Sequence, residues 1–203
     1  SNVKYGPNGS ILFFVSALGV NMSKDAETGL WSQKLFFDHD APLTCLDVDG
    51  SKRLFATSDR VDGALGGNQK EAKIIIWNAA TNAREGSISV TGCLGIRYID
   101  FSSDSKYLIC LSTDQHNFLM VYEVATLRLV YSAFLGACKV MDIKFTLSNS
   151  VFVVAGVQGI DFYTEEGGSF MASSGMKIYE KRPGLFQSVG KSAEGVVISC
   201  LSE

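Results

Sequence analysis

Histidine occurs only twice in this sequence, at His39 and His116. A metal centre needs several convergent ligands, so two scattered imidazoles exclude an ordinary zinc site. Cysteine occurs five times, an odd number, and never as Cys-x-x-Cys. That excludes a fully paired disulfide framework and a zinc knuckle. Cysteines such as Cys110, inside Leu108-Ile109-Cys110-Leu111, read as small buried hydrophobes in a reducing, cytoplasmic setting. Positive charge is also short: 18 Lys and Arg stand against 21 Asp and Glu, a net charge of −3. The densest basic group is Lys177, Lys181 and Arg182, too small to neutralise a run of phosphates, so no nucleic-acid partner is expected. The longest apolar run, Ile11 to Val20, is broken by Ser16 and falls short of the about 20 residues that span a bilayer. No basic leader precedes it, so neither a membrane segment nor a signal peptide is expected. Proline is scarce, three against twenty glycines, and no stretch shows the helical period of about 3.6 residues.

What the chain does have is alternation and repetition. Hydrophobic residues make up 46% of it and charged residues 19%, the composition of a packed globular protein. Met141, Ile143 and Phe145 alternate with Asp142 and Lys144, the two-residue period of a strand with one buried face. Four segments share a plan of alternating residues, a polar turn and a second apolar run. The last apolar residues before each turn, Tyr5, Val48, Phe101 and Phe145, lie 43, 53 and 44 residues apart. A four-stranded propeller blade takes about 40–45 residues. The long middle interval holds a glycine-rich polar insertion, Val61 to Glu71.

Each of the last three repeats continues with a third run that ends in an aromatic and a polar residue. The aromatics are Trp77, Tyr122 and Tyr163, spaced 45 and 41 residues apart. Fourth runs follow at Gln33 to Phe37, Gly86 to Val90 and Leu129 to Phe134. The reading is an all-β β-propeller fragment of about four four-stranded antiparallel blades, approximately 1–40, 41–91, 92–137 and 138–190, with the start of a fifth over 191–203. Blades bury their faces only against neighbours. Open ends therefore imply either a larger propeller or self-association through those ends.

The endings Trp77-Asn78, Tyr122-Glu123 and Tyr163-Thr164 resemble the Trp-Asp dipeptide of WD repeats. In WD repeats a histidine ahead of the first strand joins a Trp–Ser/Thr–His–Asp network that locks the blade. The resemblance implies that role for His39, with Thr57 or Ser58, Asp59 and Trp77. A catalytic role for His39 would need a nucleophile and an orienting acid beside the imidazole, and the structural role is preferred. Cys93 and Cys138 fall roughly where that histidine would stand in the next two repeats. Their networks are then degraded, and apolar packing must do more of the locking.

Longer motifs are more specific. Leu35-Phe36-Phe37-Asp38-His39-Asp40, Leu54-Phe55-Ala56-Thr57 and Ile74-Ile75-Ile76-Trp77-Asn78 resemble the opening blades of the EMAP-like (echinoderm microtubule-associated protein-like) family. So do the run Ile160 to Phe170, with its Thr164-Glu165-Glu166-Gly167-Gly168, and the following Lys181-Arg182-Pro183-Gly184-Leu185-Phe186. In that family two joined propellers form a platform that binds tubulin. The resemblance implies a non-catalytic protein-interaction scaffold, cytoplasmic and cytoskeletal or ciliary, with tubulin or microtubules among its partners. The alternative is a WD-repeat scaffold of another ciliary or signalling complex, because propellers bind many unrelated partners.

Other motifs carry less. Gly63-Ala64-Leu65-Gly66-Gly67 lacks the Gly-Lys-Ser/Thr ending of a phosphate-binding loop, and no cofactor is expected. His116 reads as a solvated loop residue, and Glu165-Glu166-Gly167-Gly168 as a solvated turn. Loops on a rigid scaffold carry recognition, which makes Asp59, Arg60, Lys70 and Glu71 around the insertion the candidate partner-binding residues.

Overall fold

The computed structural model describes residues 2–61, 71–137, 139–157 and 159–173, together with the backbone of 185–192 and 195–201. Among these residues the chain is all-β, with one short 3-10 turn at Pro7–Gly9. The first sheet contains β1 (Val3–Tyr5), β2 (Ile11–Val15), β3 (Leu18–Lys24) and β4 (Trp31–Phe36). The second contains β5 (Leu43–Val48), β6 (Leu54–Asp59), β7 (Ala72–Asn78) and β8 (Arg84–Val90). The third contains β9 (Ile96–Phe101), β10 (Tyr107–Ser112), β11 (Phe118–Glu123) and β12 (Arg128–Phe134). The fourth contains β13 (Val140–Phe145), β14 (Val151–Gly156), β15 (Gly159–Glu166) and β16 (Ser169–Ser173), and β17 (Leu185–Ser192) pairs with β18 (Gly195–Leu201). In each four-stranded sheet the strands follow in chain order, each antiparallel to the last. These consecutive meanders are propeller blades in plan.

The repeat is visible in its turns. The amides of Asp49, Ser102 and Thr146 donate to the carbonyls five residues on, at Leu54, Tyr107 and Val151, over 3.0, 2.9 and 2.8 Å. Polar turn side chains reinforce two of them. Asp49 Oδ1 accepts the Leu54 amide at 2.8 Å, and Ser102 Oγ accepts that of Tyr107 at 2.9 Å. Equivalent positions in these two turns, Lys52 and Ser105, take left-handed φ values of 57° and 62°. The same chemistry at the same offset gives the same turn.

The fourth blade has a tight turn between its last two strands. Gly167 and Gly168, with φ of 61° and 87°, form a two-residue hairpin loop that pairs Glu166 with Ser169. Successive positive φ values suit such a loop and favour glycine. The outer strand is described over Ser169–Ser173, and the next described strand, β17, is Leu185–Ser192. Lys177, Lys181 and Arg182 lie outside the described residues.

The chain divides into two compact units, residues 1–99 with 112–114, and residues 100–111 with 115–203. In the first, Leu12 and Phe36 of one sheet pack with Leu46, Phe55, Ile75 and Trp77 of the next. Gly19 makes this possible, because a Cβ there would lie 1.8 Å from the Phe36 ring. In the second, an aromatic cluster fills the core. Tyr163 stacks on Phe152 at 4.7 Å, and Phe170 packs against Phe152 at 5.2 Å and edge-on to Tyr107 at 5.2 Å.

Candidate functional site

Strand alternation on β6 sorts its three polar residues. Thr57 and Asp59 face one side, and Ser58 faces the other. On β7, Trp77 pairs with Phe55, two residues from Thr57 on the same face. The connection from β4 to β5 brings His39 over this face. The result is a chain of hydrogen bonds. Trp77 Nε1–H donates to Thr57 Oγ1 at 2.8 Å. Thr57 Oγ1 lies 2.7 Å from His39 Nε2, and His39 Nδ1 lies 2.9 Å from Asp59 Oδ2. The other Asp59 oxygen accepts the Lys73 amide at 2.6 Å.

The donors order themselves. Indole only donates, so Thr57 accepts from Trp77 and its own hydroxyl proton points to His39 Nε2. The imidazole then donates its Nδ1 proton to the carboxylate. Hydroxyl, imidazole and carboxylate in this order are also the parts of an acyl-transfer relay. Here Thr57 and Asp59 are wholly buried, and His39 and Trp77 nearly so. Thr57 is closed over by Trp77 and committed on both sides, which leaves a substrate no approach to its oxygen. What the arrangement can do is join the connection ahead of β5 to β6 and β7.

Ser58 is not in this chain. Its hydroxyl lies 3.1 Å from Thr44 Oγ1 and 2.8 Å from Cys45 Sγ. Cys45 Sγ also donates to the Ile96 carbonyl at 3.7 Å. Burial pushes the Cys45 thiol up to about 12.

The network weakens along the chain. Register puts Cys110 where Thr57 stands, because Leu108 pairs with Tyr122 as Phe55 pairs with Trp77. Cys110 Sγ reaches the Met120 carbonyl at 3.7 Å, and the Tyr122 hydroxyl reaches Met120 Sδ at 3.5 Å. Cys93, in the place of the histidine, is buried beside Ser112 and Asp114. Desolvation, helped by the Asp114 carboxylate, raises its thiol to about 11. In the fourth sheet Val154 holds the threonine position and Tyr163 the tryptophan position. Cys138 lies outside the described residues.

The candidate partner-binding residues separate. The expectation that Asp59 meets a partner fails, because it is wholly buried in the bond chain. Arg60 is exposed, and its backbone is held at the foot of the insertion. Its amide donates to the Pro42 carbonyl at 3.2 Å, and the Val61 amide donates to that of Leu94 at 2.7 Å. Arg60 also forms a bridge with Gly95, where a Cβ would lie 2.7 Å from Arg60 Cβ. At the far foot, Glu71 Oε1 accepts from Thr91 Oγ1 at 2.9 Å. Lys70 and Gly63 to Gly67 lie outside the described residues. His116 is exposed and meets the Phe134 ring edge-on at 6.5 Å. Among the described residues, no group of three or more His, Cys, Asp or Glu side chains could hold a metal ion, and no helix is long and apolar enough to cross a membrane.

Sequence reading missed a second device. Lys4 meets Asp47 at 2.6 Å, from β1 to β5, and Lys144 meets Asp100 at 2.5 Å, from β13 to β9. All four sit one residue before the last apolar residue of their strand. Asp100 also accepts the Phe145 amide at 2.7 Å. The signal was present as a charged column in the repeat.

No family model matches the chain. The chain is 23% identical over 171 residues to a ciliary WD repeat-containing protein, ctxp80, of Euplotoides octocarinatus. The match covers 76% of this chain and 22% of that relative, so the chain spans about a fifth of the relative's length. With the consecutive four-stranded meanders and the buried imidazole-centred bond chain, this likeness gives the fold as that of a WD-repeat β-propeller.

Proposed function

We propose that the chain is a non-catalytic interaction scaffold of a microtubule-based structure, cytoskeletal or ciliary, with tubulin among its protein partners. The observation that carries this reading is the match to a relative named as a ciliary WD-repeat protein. The EMAP-like motifs at Leu35 to Asp40 and Ile160 to Phe170 support it from the sequence. A scaffold needs a rigid body and displayed loops. The bond chain around Thr57 supplies rigidity beside the insertion, and Arg60 and Glu71 stand at the insertion's clamped feet. In this reading Arg60, Lys70 and Glu71 contact the partner. The chain works in the cytoplasm without cofactor, nucleic acid or membrane.

The test is sedimentation of the purified protein with polymerised tubulin. Pelleting that weakens on Arg60→Ala supports the reading. Protein that stays in the supernatant at saturating polymer counts against it. The relative's ciliary name equally suits a scaffold of another ciliary or signalling complex. Affinity capture that returns a defined complex without tubulin selects that second reading.

A further inference from the structure

The outer edges of the sheets are guarded to different degrees. An edge strand presents unpaired N–H and C=O groups, and a bulge blunts it by bending and twisting the strand. The register slips between Ile76 and Trp77 on the β7–β8 ladder, and between Val121 and Tyr122 on the β11–β12 ladder. The outer strands β8 and β12 are therefore bulged. β4 is not. It stays in register with β3 from the Gly19–Phe36 pair to the Lys24–Trp31 pair, and it ends its sheet. β16 also keeps register but carries no charged residue.

Directly opposed residues of an antiparallel ladder alternate between pairs that exchange hydrogen bonds and pairs that do not. The Asp25 amide donates to the opposed Leu30 carbonyl at 2.9 Å, so Ser32, Lys34 and Phe36 turn their backbone groups toward β3. Trp31, Gln33 and Leu35 turn theirs to the open edge, where no described residue meets them. A further blade would leave this edge open, because blades stack through their faces and not their outer edges. The cations along β4 have no counter-charge. Lys34 is exposed on the side of β4 that carries Phe36, the side packed on the second sheet, and Lys24 is exposed opposite Trp31. Neither lysine forms an ion pair among the described residues.

We propose that the β4 edge takes up an extended segment of a partner protein, which adds as a further strand and sets a carboxylate beside Lys34. The outward groups of Trp31, Gln33 and Leu35 supply the backbone bonds, and alternate side chains supply the selectivity. Lys34 bonds inward, so the residue opposite it on the added strand forms a non-hydrogen-bonded pair, the kind that brings side chains closest. An Asp or Glu there pairs with the ammonium, as opposite charges do across a ladder. A second copy's β4 is a poorer fit, because its one charged residue is Lys34 again. The proposal adds a partner site to the scaffold reading and holds whether or not tubulin is the partner.

Fluorescence anisotropy of a labelled peptide, Gly-Val-Glu-Val-Glu-Val-Gly, with the 203-residue chain tests it. The expected dissociation constant is roughly 10–500 µM. With a glutamate opposite Lys34, the valine amides point at β4 and the glutamate amides point away. N-methylation of the central valine should therefore weaken binding at least about tenfold, and N-methylation of a glutamate far less. Lys34→Glu should weaken this peptide at least about tenfold and favour the same peptide with lysine in place of glutamate. Absence of binding at about 1 mM peptide overturns the proposal, as do equal losses from the two methylations or undiminished binding to Lys34→Glu. A dimer in sedimentation velocity that the peptide dissolves would assign the edge to a second copy and overturn it too. The methylation pair needs no variant of the chain, so it decides the matter even where Lys34→Glu fails to fold. No readout here uses polymerised tubulin, which keeps failure at β4 distinct from failure of microtubule pelleting.

Discussion

Replacing Thr57 by valine keeps the side chain's shape and removes the oxygen at the centre of the bond chain. Thr57 Oγ1 accepts from Trp77 at 2.8 Å and lies 2.7 Å from His39 Nε2. Without it a buried indole N–H and a buried imidazole nitrogen are stranded. Each costs about 1–3 kcal/mol, and the added methyl returns at most about 1 kcal/mol. The net loss is about 3 kcal/mol. For a chain of this size that lowers the melting temperature by roughly 6–12 °C. Urea denaturation followed by Trp fluorescence measures it, with Cys110→Val as the control. Cys110 occupies the equivalent place but meets a carbonyl through a weakly donating thiol, at 3.7 Å, so its replacement should cost less than about 1.5 kcal/mol. A cycle with Trp77→Phe should be non-additive, because removing the indole N–H removes one of the stranded groups. A Thr57→Val loss below about 1 kcal/mol, or one equal to that of Cys110→Val, would refute the claim that this chain locks the second blade.

Three further outcomes are expected. Cys45, whose thiol burial raises from 9.0 to about 12, should react with a disulfide reagent at pH 8 about a thousandfold more slowly in the native than in the unfolded chain. Because the unfolded thiol ionises first, stability should fall as pH climbs from about 9 toward 12 and be untouched by this group below 9; rapid native labelling at pH 8 would contradict the burial. Gly95→Ala forces a Cβ to within 2.7 Å of Arg60 Cβ and should open the Arg60–Gly95 bridge. It should cost about 1–3 kcal/mol, with faster hydrogen exchange at Val61; unchanged exchange would show that the foot of the insertion is not held there. Asp100→Ala leaves the Lys144 ammonium and the Phe145 amide without their carboxylate and should cost about 2–4 kcal/mol by urea denaturation, whereas a neutral result would mean that water replaces it fully.

The fold was legible because a period and an alternation survive where individual motifs decay. Trp77, Tyr122 and Tyr163 differ, yet each lies in a strand that pairs with the one before it in the same register. The choice between Thr57 and Ser58 was not legible from spacing alone. It follows from which residue shares a face with Trp77, and that requires the β6–β7 register. The same alternation settles Asp59. Once Thr57 lies in the bond chain, Asp59 must lie on its side of the strand, buried, and only Arg60 emerges. The charged column Lys4, Asp47, Asp100 and Lys144 could be read from the repeat, but not that Lys4 belongs to Asp47 and Lys144 to Asp100. Pairing is a property of neighbouring blades, and sequence order alone does not state which side chains meet. Exposure is the hardest case. Val3-Lys4-Tyr5 and Leu46-Asp47-Val48 have the same pattern of apolar and charged residues, and one is covered while the other is not. Composition records that a face can be buried; only the position of a neighbour decides whether it is.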